Sequence, residues 1–144
     1  MTTTTGRPSL ADVQVGTELP ARTYPVRRVD LVRYCGASGD FNIIHWNQRT
    51  AQAVGLPDVI AHGMLTMALA GRVVTDWAGD PGALVSYRVR FSRPVVVPDD
   101  DTGTELVVSG VVEELDGGLV TVGLTATVGD NRVLGGARAV VRLA

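Results

Sequence analysis

Residues Gly63–Trp77 read GMLTMALAGRVVTDW, and the fold follows from how that stretch must be housed. Apolar residues fall on nearly every face through its first two turns, which predicts a helix enclosed on most sides rather than one lying on a surface. Fifteen residues of helix span about 22 Å. The following Gly79-Asp80-Pro81-Gly82 stops it, because glycine turns and proline rings do not continue a helix.

Downstream the period switches from helix to strand. Ser86–Ser92 alternates, with Tyr87, Val89 and Phe91 on one face and Ser86, Arg88, Arg90 and Ser92 on the other. After a turn at Pro98–Gly103, strands are expected over Thr104–Glu114, Leu119–Val128 and Arg132–Leu143. Asp116-Gly117-Gly118 and Gly129-Asp130-Asn131 supply the hairpin turns between them. A sheet of this size must bury one face, and the apolar helix is the only element able to cover it. The expected class is therefore α+β, an antiparallel sheet wrapped around a long central helix.

Upstream, Arg22–Val26 reads as an edge strand, since Pro25 cannot donate to a ladder. Asp30 is the expected N-cap of a short helix through Leu31, Tyr34 and Cys35, ended by Gly36 and Gly39. Asn47 caps a second short helix, Gln48–Val54, with Gly55 and Pro57 just beyond. Met1–Ser9 is polar and aperiodic, and a disordered start is expected there, leaving residues 10–144 as a single domain.

Composition narrows the function. At 144 residues the chain can bury about 70% of its unfolded surface without staples. A net charge of −2 gives no electrostatic case for nucleic acid. The single Cys35 cannot form an internal disulfide, which suits a reducing, cytoplasmic setting. No apolar run reaches the roughly 18 residues of a membrane span, and no signal peptide is visible.

Both histidines, His45 and His62, lie in the stretch just before and into the helix. Were residues 40–45 helical, Asp40 and His45 would sit about 140° apart; they converge only in a loop, which Gly39 allows. A carboxylate that orients an imidazole is a common acid–base pair. Spacing alone leaves the plainer reading open, and commoner: Asp40 as a turn residue and His45 as a satisfied, half-buried side chain. His62-Gly63 would open the helix, where unpartnered N–H groups and the macrodipole favour a developing oxyanion. Equally, Gly63 could mark a close helix–sheet contact that excludes a Cβ. Metal ligation is disfavoured, for no His-x-x-x-His or Cys-x-x-Cys spacing occurs. No cofactor is indicated, and Ser38 or Cys35 as a nucleophile would need a base aimed at it, which nothing in the pattern requires. Arg88, Arg90 and Arg93 read as solvated strand residues or, less often, as contacts to a carrier's phosphates.

Ser38-Gly39-Asp40-Phe41-Asn42-Ile43-Ile44-His45 followed by Ala61-His62-Gly63-Met64 resembles the double signature of the MaoC-like hot-dog family of (R)-specific enoyl-thioester hydratases and dehydratases. The HWNQRTAQAVGL, IAHGMLTM, VVTDWAGDPGA and YRVRF stretches look most like the B-subunit branch of heterodimeric (3R)-hydroxyacyl-ACP dehydratases of the mycolic-acid type. The resemblance implies a hot-dog fold and removal of water from a (3R)-3-hydroxyacyl thioester, on ACP or CoA, to give the trans-2-enoyl product. Asp40 and His45 would exchange the protons, Asn42 would hold their loop, His62 would support, and the Gly63 N–H would bind the thioester oxygen. It implies no metal and no cofactor, and a second, non-identical hot-dog subunit as partner, with a homodimer as the alternative. Competing readings are an (R)-specific enoyl-CoA hydratase, a non-catalytic acyl-binding or assembly subunit, and a hot-dog thioesterase. Two departures stand out: Ile43 replaces a proline common in the family, and Gly71 stands where some hydratases carry a serine.

Overall fold

The structure is a computed structural model that describes residues 7–144. The disordered start expected over Met1–Ser9 thus falls largely outside the described residues; within them, Arg7 pairs with Asp80 at 2.7 Å and Ser9 Oγ donates to Asp12 at 2.8 Å. In chain order the main elements are β1 (Glu18–Val26), α1 (Arg28–Ser38), α2 (Gln48–Ala53), α3 (Gly63–Ala78), β2 (Leu84–Phe91), β3 (Thr104–Asp116), β4 (Leu119–Val128), β5 (Asn131–Arg132) and β6 (Leu134–Arg142). The strands form one antiparallel sheet in the order β1-β3-β4-β6-β2, with the short β5 on β4. β1 and β2 are its edges, so Pro25 sits where a missing donor costs least.

The inward face is built by alternation: Leu106, Val108 and Val112 on β3, Val120, Val122, Leu124 and Ala126 on β4, and Ala137, Ala139 and Val141 on β6 are all buried. Against them α3 buries Thr66, Ala70, Gly71, Val73, Val74 and Ala78. Most of these are small, which lets the sheet curve closely around the helix. Met64, Ala68, Arg72 and Asp76 form the exposed stripe of α3, at i, i+4 spacing. The helix is thus covered on most of its circumference, as its sequence requires.

Two glycines decide how closely β2 approaches α3. A Cβ on Gly63 would stand 3.0 Å from the Phe91 ring, and one on Gly71 2.9 Å from the Tyr87 ring. The spacings match: four strand residues from Tyr87 to Phe91 and eight helix residues from Gly63 to Gly71 both cover about 12–13 Å. Tyr87 Oη also donates to the Met67 carbonyl at 2.7 Å.

The structure corrects three local expectations. Asp30 is not the N-cap of α1. It lies at N3, where its carboxylate accepts from the Arg27 N–H at 2.9 Å, so the helix begins about a turn earlier. Gly36 lies within that helix, and Gly39 alone, at φ 75°, ends it. The last strand is not continuous from Arg132: β5 is separated from β6, and the β2–β6 register shifts between Arg88 and Arg90, beside Gly136 at φ 54°.

Leu106 is fully buried beneath the helix. Leu106→Ala is expected to lower unfolding free energy by about 3 kcal/mol in urea titration, with the slope of the transition little changed.

Candidate active site

The loop after α1 builds the first half of the site. Gly39 turns the chain out of the helix, and the Asp40 N–H is held by Ser38 Oγ at 3.1 Å. The Asp40 carboxylate then accepts from the Asn42 N–H at 3.1 Å, and Asn42 Oδ1 accepts from the Ile44 N–H at 3.3 Å. These short side-chain-to-backbone bonds are what Asp and Asn do best outside regular structure. They lead into a single 3-10 turn, Ile43–His45. The irregular conformation brings Asp40 Oδ2 to 4.0 Å from His45 Nε2.

That separation is longer than a hydrogen bond, so the carboxylate does not orient the imidazole in the way the sequence suggested. His45 is oriented from its other side. Its Nδ1 lies 2.7 Å from the Ile60 carbonyl, and because a carbonyl only accepts, Nδ1 carries the hydrogen and Nε2 the lone pair. Ile60 is itself held: its N–H donates to the Ile44 carbonyl at 3.3 Å, Ala61 N–H to Val95 at 2.8 Å, and Val97 N–H to Val59 at 3.0 Å. The half-buried Arg28–Asp58 pair, 2.7 Å long, anchors the start of the same segment. Asp40 and His45 are therefore neighbouring acceptors set side by side.

His62 closes the arrangement from below. Its ring stacks on that of His45 with centroids 3.7 Å apart and 23° between planes, and Tyr34 meets it edge-on at 4.7 Å. Its Nε2–H donates to the Asp40 carbonyl at 3.0 Å, with Cys35 Sγ 3.6 Å away. Nδ1 is then the unprotonated nitrogen, buried without a partner among the described residues. Burial pushes the Cys35 thiol pKa up, and the Asp40 charge adds to this, so Cys35 is poorly suited to act as a nucleophile.

Burial lowers the pKa of His45 from 6.5, and the neighbouring His62 lowers it further; the Ile60 carbonyl and the Asp40 carboxylate oppose the shift without cancelling it. At neutral pH His45 is thus an uncharged base. Asp40, Asn42 and Phe41 are exposed, whereas His45 is 7% and His62 2% exposed.

A cavity of about 260 Å³ opens beside His45 and is lined by Ile60, Gly63, Thr66, Phe91, Arg93 and Leu134 among others. The Gly63 end of α3 faces it with no side-chain cap, leaving first-turn N–H donors for a ligand. The close-contact reading of Gly63 holds, since it seats Phe91 without a Cβ, and the same residue heads the helix at the cavity. The sequence pattern did not single out Thr66, Phe91 or Leu134 as part of the site. A polar residue one turn after Gly63 was the signal available for Thr66. Arg93 donates to Asn131 Oδ1 at 2.5 Å and borders the cavity, whereas Arg88 lies with Glu113 and Arg138 beside a different depression.

Asp40, His45 and His62 bring ligand atoms within 4.8 Å of one another. The two imidazoles lie nearly parallel, so their in-plane lone pairs do not converge on a single ion without ring rotation.

Residues 12–130 match the family described as MaoC like domain. The chain is 40% identical over 79 residues to a 3-hydroxyacyl-thioester dehydratase X of Mycobacterium tuberculosis, covering 55% of this chain and 27% of that protein. It is 34% identical over 108 residues to an (R)-specific enoyl-CoA hydratase of Rhodospirillum rubrum, covering 74% and 73%. Among solved structures, a MaoC-like dehydratase superposes with a TM-score of 0.92 at 42% identity, covering 96% of this chain and 43% of that one. A chain of the ChsH1-ChsH2 complex from Mycobacterium tuberculosis superposes at 0.80 with 25% identity, covering 91% and 98%. The matched region thus takes up about a quarter of the first relative and under half of the first structural neighbour. With the hot-dog architecture and more than half of the chain matched, the protein belongs to the MaoC-like domain family.

Proposed function

We propose that the chain is a hydro-lyase that interconverts (3R)-3-hydroxyacyl and trans-2-enoyl thioesters, with dehydration as the direction in fatty-acid elongation. The observation that carries this reading is the placement of two proton acceptors, Asp40 Oδ2 and His45 Nε2, 4.0 Å apart beside a cavity bordered by the uncapped N-terminus of α3. A substrate whose thioester oxygen meets the Gly63 N–H presents C2 and C3 to the pair. The dyad takes the C2 proton as charge moves into the thioester, the C2=C3 bond forms, and the C3–O bond breaks. The abstracted proton leaves on the departing hydroxyl as water, so the pair ends as it began. Hydration runs the same steps in reverse, with Asp40 and His45 drawing a proton from a water held between them. A coupled pair is described as one unit. Asn42 fixes the Asp40 carboxylate, and His62 supports both members through the ring stack and the Asp40 carbonyl.

A second hot-dog subunit completes the site. The rim carries Phe41, Trp46, Met64 and Phe91, each at least half exposed, and the adjoining β2 is an open sheet edge. Exposed apolar side chains beside an unpaired edge suit burial by another chain. The ChsH1-ChsH2 complex among the structural neighbours supports a non-identical partner. The carrier is ACP or CoA, and the position of Arg93 at the cavity border supports it as a contact for a phosphate of either.

Asp40→Asn and His45→Ala are each expected to lower kcat for crotonyl-CoA hydration by at least about 10²-fold; activity that survives both changes removes the assignment. The acid limb of kcat/KM should fall below 6.5, the ordinary histidine value from which His45 is lowered, because protonation of Nε2 removes a base. NMR titration of the His45 ring should give the same low midpoint, lower still in Asp40→Asn, where the carboxylate that favours the charged ring is gone.

A further inference from the structure

We propose that Thr66 supplies a second hydrogen bond to the thioester oxygen, beside the Gly63 N–H; this rests on the hydro-lyase reading above. Thr66 lies three residues after Gly63, on the same side of α3. Helix side chains lean toward the N-terminus, so Thr66 covers the turn that Gly63 leaves without a Cβ. It is only 5% exposed and lines the cavity together with His45 and Gly63.

Its hydroxyl has no hydrogen-bond partner among the described residues. The acceptor a helical threonine ordinarily uses is the carbonyl four residues back, here that of His62. That carbonyl already accepts from the Leu65 N–H at 3.0 Å and the Thr66 N–H at 3.2 Å, which occupies both lone pairs. Thr75, two turns on, shows the ordinary arrangement, with its hydroxyl 3.5 Å from the Gly71 carbonyl and 3.4 Å from that of Arg72. The buried side-chain atoms sealed off without a partner among the described residues are Tyr24 Oη and His62 Nδ1; Thr66 itself lines the cavity, where a ligand oxygen can meet its hydroxyl. Of the substrate's oxygens, the one on C3 is engaged by Asp40 and His45. The thioester oxygen remains, and it gains negative charge as the C2 proton leaves. A donor aimed there acts mainly on the transition state.

The test compares Thr66→Val, which keeps the shape and removes the hydroxyl, with Thr66→Ser, which keeps the hydroxyl, in the full chain with any partner subunit it needs. Crotonyl-CoA hydration should lose about 10²-fold in kcat in the valine variant with little change in KM, and the serine variant should recover most of it. Infrared difference spectra of [1-13C]crotonyl-CoA bound to the Asp40→Asn protein give a second readout. The thioester carbonyl band should move to higher frequency when Thr66→Val is added. Thr66→Ala, read in the same two ways, serves if valine is not accepted in the fold. A valine variant with wild-type kcat and an unmoved band, alongside an inactive Asp40→Asn, overturns the role of Thr66 and leaves the hydro-lyase reading intact. Activity that survives Asp40→Asn and His45→Ala overturns that reading and the Thr66 role with it.

Discussion

Three separate pieces of chain meet on the His62 imidazole, and the geometry of the site depends on that meeting. The ring lies against Tyr34 and Cys35 of α1, donates to the Asp40 carbonyl of the following loop, and stacks on His45, while its own backbone begins α3. A buried polar ring in such a position must be satisfied or it costs stability. The Asp40 carbonyl meets one of its two nitrogens. That single bond ties a loop with little regular structure to the most enclosed helix in the protein. The planar face of the ring then limits where His45 can sit, and the Ile60 carbonyl selects its tautomer.

From this follows a division of electrostatic labour. His45 is withdrawn from water and neighbours a second imidazole, and both effects favour its uncharged form. Asp40 remains exposed to solvent beside it. One member of the pair is therefore held uncharged by burial, while the other stands exposed to solvent. The pair differs from a hydrogen-bonded carboxylate–imidazole couple, in which the acid would hold the ring and raise its pKa. Here the carboxylate stands too far to do either fully, and the backbone carbonyl of Ile60 does the orienting.

The same economy runs through the packing of β2 on α3. Glycine at positions 63 and 71 allows two aromatic rings to lie against the helix backbone. One of those contacts, Phe91 on Gly63, is also a wall of the cavity. A side chain at position 63 would disturb the sheet contact and the helix end together, so packing and the shape of the cavity depend on the same glycine. The departure at Gly71 likewise has a structural counterpart, since Tyr87 occupies the space beside it and bonds to Met67.

The amino-acid sequence by itself determined the enclosed helix, the meander that wraps it, the edge position of Pro25 and the breakdown of regular structure around Asp40. These are local properties, governed by apolar period, turn chemistry and the few residues that disrupt a ladder. The double motif around His45 and His62 pointed to the family, which the matched region then established. Helix ends were less legible: Asp30 can serve as an N-cap or as an N3 partner, and only the neighbouring backbone selects between them. The bulge at Gly135–Gly136 was hidden because glycines in a strand pattern do not announce which one takes a positive φ. Tertiary structure alone decided that Asp40 and His45 stand side by side without bonding, that Ile60 aims the imidazole, and that Thr66 lines the cavity. Those facts depend on where the Val59–Ala61 segment and β2 come to rest against α3. Such distances join residues far apart in the chain, and no periodicity within one segment encodes them.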